Sequence, residues 1–344
     1  MTRWRPRVGN RPTIGRDEHE RDRPRFHLVF MPGSTRELAL FTMTLLEWSH
    51  GCDFVLVDNA CLPPERRFLR GLAEQRPRLE YVQLPGAEPV AHRVALDYLV
   101  KLEHRDSFCF MDTDILADGD WLEPLVAAAT THAGVFACPP MWTEPEDQIH
   151  PSHWRRLGGR YHVTDTGMVV GSTYLAIYDI GPLRQVLDSG ATFGRARWEN
   201  LTPPVQGQLE RIGMRKDAYD TAKVVNLLLV AGGHELIHLD APGLHHIGGI
   251  SVVAHPSADL DERRVAKLES VSDDERESIE NRLGRRGVTA EYVGAILRHL
   301  FSGSALPEPP RSGDDSLDAR LALMAESIRA AHDRHGNELA ALPS

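Results

Sequence analysis

Ser107-Phe108-Cys109-Phe110-Met111-Asp112-Thr113-Asp114-Ile115-Leu116 decides the fold of this chain. Ser107–Met111 is a short, aromatic and apolar run, as expected of a buried strand, and two carboxylates one residue apart follow it. Strands of open α/β sheets present ligand-binding groups at this end. Two such carboxylates suit one hard cation, Mg²⁺ or Mn²⁺, which prefers oxygen ligands and bridges to phosphate oxygens. The pair alone is a common pattern, since Asp118/Asp120 and Asp259/Asp261 repeat it. Two solvated acids at a strand end would read the same way. Only Asp112/Asp114 follows directly on a buried-looking strand.

Upstream of this stretch, strand and helix alternate. Phe26–Met31 reads as a strand broken by Pro32-Gly33-Ser34, and Thr35–His50 as a helix. Asp53–Asp58 is a second strand, Pro64–Gln75 a helix, Leu79–Leu84 a third strand and Val90–Glu103 a helix. This alternation predicts βαβ units and a mostly parallel, doubly wound α/β sheet. After the first strand there is no G-x-G-x-x-G, and no G-x-x-x-x-G-K-S/T occurs anywhere. The sequence therefore speaks against NAD(P) and P-loop chemistry.

Downstream, Trp121–Thr131 reads as a helix, Gly134–Cys138 and Gly167–Tyr178 as strands, and Gly181–Leu187 as a helix. Residues 139–166 and 189–216 read as irregular. They hold Trp142, Trp154 and Trp198, which are candidates to stack on a sugar or for the core. Asp220-Thr221 opens a helix that Gly232-Gly233 ends, and the strand Glu235–Leu239 follows. Next comes Leu244-His245-His246-Ile247-Gly248-Gly249. One of the two histidines is a candidate nitrogen ligand for a metal, and spacing leaves open which. An ordinary buried histidine at a strand end is the competing reading. The two glycines allow backbone N–H groups to approach a phosphate.

The chain has 344 residues, 42% hydrophobic and 26% charged, which is ample for a real core. Its formal net charge of -10 argues against a nucleic-acid partner. Cys52, Cys61, Cys109 and Cys138 are widely spaced and read as reduced thiols of a cytoplasmic protein. No run approaches the roughly 18 apolar residues of a membrane span. Three segments are expected: a disordered basic tail over 1–25, an α/β domain over 26–254, and a helical extension over 255–344. In the extension, Asp261–Arg285, Thr289–Leu300 and Asp318–His335 read as helices. The apolar stripe of the last points to pairing in a homodimer.

Together these stretches resemble a glycosyltransferase of the GT-A fold, most similar to family 2, over roughly residues 26 to 251. Asp112-Thr113-Asp114 stands where that family carries its D-x-D motif. The resemblance implies a nucleotide-sugar donor, a small-molecule or glycan acceptor, and a Mn²⁺ or Mg²⁺ ion on Asp112, Asp114 and His246 or His245. It implies that Asp58 binds the base or ribose, with Asp112 and Thr113 also at the donor. It places Pro32, Gly33, Arg36 and His92 around the nucleotide. It nominates Asp220 as the base that deprotonates the acceptor hydroxyl, with inversion at the anomeric carbon. Tyr219 precedes Asp220 where the family has an acid, and no Q-x-x-R-W is present, which speaks against a processive synthase. A nucleotidyltransferase making a nucleotide sugar and a non-catalytic nucleotide-binding scaffold are the alternatives.

Overall fold

Uninterrupted apolar runs become the central strands. β1 (Arg25–Phe30) is buried along its whole length and β2 (Asp53–Asp58) from its second residue on. That is the pattern of strands covered on both faces. The computed structural model describes residues 23–143, 161–163, 169–171, 173–215, 218–219, 221–250 and 273–343. Between and after these strands come α1 (Thr35–Glu47), α2 (Pro63–Gln75), β3 (Leu79–Gln83), α3 (His92–Leu102), β4 (Ser107–Met111), β5 (Ile115–Ala117) and α4 (Leu122–Ala129). There follow β6 (Gly134–Ala137), β7 (Tyr161–Val163), β8 (Val169–Gly171), β9 (Leu175–Asp179), α5 (Ile180–Asp188), β10 (Ala196–Arg197) and α6 (Pro203–Arg211). The remainder are β11 (Ala218–Tyr219), α7 (Lys223–Ala231), β12 (Leu236–His238), β13 (Leu244–His246), α8 (Asp273–Ser302) and α9 (Asp315–Ala341).

A seven-stranded sheet runs in the order β12-β6-β9-β4-β1-β2-β3. Its pairs are parallel except that β9 lies antiparallel between β4 and β6. The chain lays down β1, β2 and β3 in one direction, then crosses to place β4 on the other side of β1. A crevice opens outside the carboxyl ends of strands where the order reverses, and here that is between β1 and β4. Asp112 follows β4 at this point. The expected mostly parallel α/β sheet flanked by helices is what the chain forms.

Side chains alternate between two cores, as the two-residue period of a strand requires. Phe26, Leu28, Phe54, Leu56, Cys109 and Met111 face the core under α1, α2, α8 and α9. Val29, Val55, Val57, Phe108 and Phe110 face the core under α3, α5, α6 and α7. The stripe Leu321, Met324, Ala325, Ile328 and Ala331 of α9 is buried in the first core. The surface that the sequence left for a second copy is thus covered within one chain. Arg334 and His335 each meet Glu47 at 3.0 Å, and Arg36 donates to the carbonyl of Leu342 at 3.3 Å.

Several elements differ from expectation: the single strand expected over Gly167–Tyr178 is β8 and β9, and short β7 and β10 form in stretches read as irregular. α8 is one helix where two were expected, and residues 251–272 lie outside the described residues. α6 forms in a stretch read as irregular. Thr202 at its N-cap, Pro203-Pro204 in its first turn and buried Val205 and Leu209 at i, i+4 account for it. Arg25, which falls in the expected tail, begins β1, while residues 1–22 lie outside the described residues.

At the amino end of the sheet a buried ion network replaces apolar packing. Arg25 meets Glu103 at 2.7 Å and Glu80 at 3.1 Å, and His27 Nδ1 lies 2.9 Å from the carbonyl of Cys109. Burial pulls His27 down to about 4, against the opposing pull of the Cys109 carbonyl and Glu103. Burial pushes Glu103 up, but Arg25, His27 and the amides of Arg105 and His104 outweigh it, so its pKa is lowered. Both folded-state values lie below the unfolded ones, so both groups contribute stability at neutral pH that is lost on acidification. For His27 the loss begins near pH 6.5 and runs to about 4. By pH 5 it reaches roughly 2 kcal/mol. The melting temperature should therefore fall between pH 7 and pH 5, and fall less in His27→Gln. An equal fall in both proteins would remove His27 as the cause.

Candidate active site

The site is assembled by a small second sheet. After β4 the chain turns through Asp112-Thr113-Asp114 into β5, which pairs antiparallel with β13 so that His246 lies opposite Ile115. The amide of Ile247 donates to the carbonyl of Asp114 at 3.0 Å, and that of Asp112 to Tyr174 at 2.8 Å. The aspartate turn is therefore fixed from both sides. Neighbouring residues of a strand point to opposite faces, so only one histidine of the pair can meet the aspartates. That one is His246. His245 turns outward to Asp118 at 2.8 Å, away from the position the resemblance offered it.

His246 is almost fully buried. Its Nε2 stands 3.2 Å from Asp114 Oδ1 and 3.4 Å from Asp112 Oδ2. Its Nδ1 lies 3.1 Å from the carbonyl of Cys138 and, when donating there, leaves Nε2 as the free lone pair. Nε2 is buried and makes no hydrogen bond of good geometry. Asp114 accepts on Oδ2 from the amides of Gly249 at 3.0 Å and Ile250 at 3.3 Å, which leaves Oδ1 turned toward the histidine. One ligand atom from each of Asp112, Asp114 and His246 lies within 4.8 Å of the others. Two carboxylates and one imidazole at these separations, with an orphaned ring nitrogen among them, fit a divalent ion.

Charge in the cluster is shared. Burial pushes Asp114 up, but His246 and the two amides override it and leave its carboxyl below the usual range. Burial alone would lower His246, and the carboxylates of Asp114 and Asp112 close to its Nε2 instead raise it to about 9. The two acids thus favour positive charge at this point, a proton on His246 or a metal.

Gly248 and Gly249 have φ of +69° and +120°. A Cβ on Gly249 would stand 2.9 Å from Arg286 Nε. Gly249→Ala should therefore cost about 1–3 kcal/mol and move the amide that Asp114 accepts from. Gly233, with φ +82° and open space around it, carries only the backbone cost and serves as control. Metal affinity measured by calorimetry should weaken in Gly249→Ala and hold in Gly233→Ala. Equal affinities would remove the glycine loop from the site.

The other residues named from sequence divide. Pro32 and Gly33 lie at the end of β1 beside the crevice, Gly33 with φ +101° and its amide donating to Glu65 at 2.7 Å. His92 begins α3. Burial lowers its pKa, while Asp112 is near enough to pull it the other way. Thr113 is half-buried between the two aspartates. Asp58 is fully buried, and its oxygens accept from Cys61 N at 2.7 Å, Arg66 at 2.9 Å and Tyr81 at 2.6 Å. It braces the chain after β2. Arg36 lies over the ring of Phe68 at 5.2 Å and reaches the carbonyl of Leu342, so its charge is directed into the packing of α2 and α9. Asp220 lies outside the described residues, as does Trp154. Trp142 is buried and donates to Gly248 O at 2.8 Å, which props the glycine loop.

Sequence reading missed three contributors. Cys138 supplies the carbonyl that orients His246, at a residue with φ +67° directly before Pro139-Pro140. Tyr174 places its ring 4.6 Å from that of His246. Asn59 clamps Val90 through both side-chain atoms, at 2.7 and 2.9 Å, and so fixes the segment leading to His92. The turn-forming Asp58-Asn59 was the visible signal for the last.

No model of a known family matches the sequence, and no curated protein matches it. Among solved structures the chain is similar to the galactosyltransferase LgtC, in complex with donor and acceptor sugar analogs. The identity is 10%, the coverage 70% of this chain and 82% of that one, and the TM-score 0.36. It is similar at 11% identity to the glycosyltransferase GlyE of Streptococcus pneumoniae, covering 84% of this chain and 66% of that one, with TM-score 0.36. A glucose-1-phosphate thymidylyltransferase-like protein of Bacillus anthracis aligns at 12% identity over 72% of this chain and 96% of that one, with TM-score 0.38. These overlaps are loose, and the reading of the site rests on the chain's own residues.

Proposed function

We propose that this chain is a metal-dependent glycosyltransferase of the GT-A type, taking a sugar from a nucleotide-sugar donor to an acceptor hydroxyl. The observation that carries this reading is the convergence of Asp112, Asp114 and the Nε2 of His246 at the switch point between β1 and β4. Asp112, Asp114 and His246 would hold Mn²⁺ or Mg²⁺, and such an ion, when bound, neutralises the diphosphate charge that develops as the sugar leaves. Asp114 and its two amides hold the ligand set rigid, so little reorganisation is needed when charge develops. Asp112, the more exposed acid, faces the donor. Pro32 and Gly33 border the nucleotide on the β1 side and His92 on the α3 side. Asp220 takes the acceptor proton as the hydroxyl attacks from the face opposite the leaving group, which gives inversion. Among the described residues no helix is long and apolar enough to cross a membrane.

The test is calorimetric titration with UDP, GDP and dTDP, each with and without Mn²⁺ or Mg²⁺. Metal-dependent binding of one nucleotide is the expected result, and it names the donors to screen. A folded protein that binds none of them would point to a scaffold instead. Pyrophosphate released from a nucleoside triphosphate and a sugar phosphate would point to a nucleotidyltransferase.

A further inference from the structure

A second hollow lies apart from the aspartate cluster. It is a half-open hollow of about 690 Å³, bordered by the segment after α5, the 3₁₀ turn Trp198–Asn200 and the start of α7. Its polar wall is Thr192, Arg195, Arg197, Asn200, Thr202 and Tyr219. Ala191, Leu201 and Val224 give it apolar faces. Two of these residues are arginines, and no acid lines it among the described residues. Arg197 does meet Glu199 at 3.7 Å, but both side chains are exposed, and pairs of that kind are worth little. An arginine also carries five donors, so one bond elsewhere leaves others for a ligand.

The walls are held in place. Phe193 donates its amide to Asp97 of α3 at 3.0 Å and accepts from Ala222 at 2.8 Å. Its ring packs 5.8 Å from Phe110, which in turn lies 6.1 Å from His92. Ala196 pairs with Tyr219 across the ribbon of β10 and β11. From Tyr219 in this wall the chain runs directly into Asp220. One side of the hollow is therefore built on the ribbon that leads into the proposed base, and the other is one ring removed from His92.

We propose that this hollow binds an anionic polyhydroxyl compound, a sugar or polyol bearing a phosphate or carboxylate. Its volume suits a ligand of monosaccharide size with one charged group. The threonine hydroxyls and the Asn200 amide match hydroxyls, and the arginines match the anion. Naming this compound the acceptor rests on the glycosyltransferase reading; its binding does not.

The experiment titrates the full chain with glucose 6-phosphate, glucuronate and glucose by calorimetry, at low and high salt. The expected result is that at least one anionic sugar binds about tenfold or more tighter than glucose and weakens with salt. Which of the two binds better separates a phosphate from a carboxylate ligand. The double variant Arg195→Gln/Arg197→Gln should lose about tenfold or more for the anion and keep its affinity for glucose. Equal binding of charged and neutral sugars, no binding of either anion, or an unchanged affinity in the double variant would each overturn the proposal. Nucleotide titration with Mn²⁺ is run beside it. Anion binding without nucleotide binding would fail the transferase reading and leave this site standing. Nucleotide binding without anion binding would fail this site alone.

Discussion

If the chain is the proposed transferase, Asp114→Ala should abolish metal-dependent nucleotide binding and lower sugar transfer by roughly a thousandfold or more. The carboxylate is buried, and its two oxygens have separate tasks: Oδ2 accepts from the amides of Gly249 and Ile250, and Oδ1 faces His246. Alanine removes the central ligand and lets the glycine loop move. The fold should survive. The raised pKa of His246 draws on both Asp114 and Asp112, so in the variant it should fall while Asp112, 3.4 Å away, still faces the ring. No uncompensated buried cation is left behind. What remains is two buried amides without an acceptor, a cost on the order of 2–4 kcal/mol. Asp112→Ala, at a more exposed position, should cost less stability and also weaken the metal. Calorimetry with Mn²⁺ and the nucleotide that wild type binds checks both, with circular dichroism to confirm folding. Full binding by a folded Asp114→Ala would end the metal assignment.

A chain ended after Pro310 should not fold cooperatively. α9 buries Leu317, Leu321, Met324, Ile328 and Leu339 in the same core as α1. Each such side chain is worth about 1.5–3 kcal/mol, and five of them approach the roughly 5–15 kcal/mol that holds a typical domain together. The entropy regained by releasing α9 offsets part of this loss. Against that, Leu38, Phe41 and Leu45 on α1 lose cover. The truncated chain should be aggregation-prone and lack a sharp urea transition by circular dichroism. Ile328→Asp should give a milder form of the same defect. A truncated protein with the wild-type midpoint would show that α9 is detachable, as the end of the extension expected over 255–344.

The legibility of the chain followed the range of its interactions. β4 and the aspartates after it were readable because strand, turn and ligands lie within ten consecutive residues, Ser107–Leu116. The choice between His245 and His246 was not, since it depends on register. His246 opposes Ile115, and a slip of one residue would exchange the two histidines. Asp58 read as a ligand group at a strand end; that its oxygens also accept from Tyr81 and Arg66 was not legible, since Tyr81 reaches it only through the pairing of β2 with β3. Arg36 followed the first strand as a nucleotide-binding residue would, yet its partner carbonyl lies 306 residues away. The apolar stripe of α9 was plain in the sequence. That its partner is α1 of the same chain, rather than another copy, is a tertiary fact with no local signal.

That partnership has a consequence for biosynthesis. Glu47, at the end of α1, waits for Arg334, 287 positions later, before the packing around it is complete. α1 leaves the ribosome long before α9. Throughout translation the growing chain therefore presents one apolar helix face with nothing to cover it. This core closes only once α9 has emerged, and a nascent chain stalled before α9 is the form that holding chaperones would recognise.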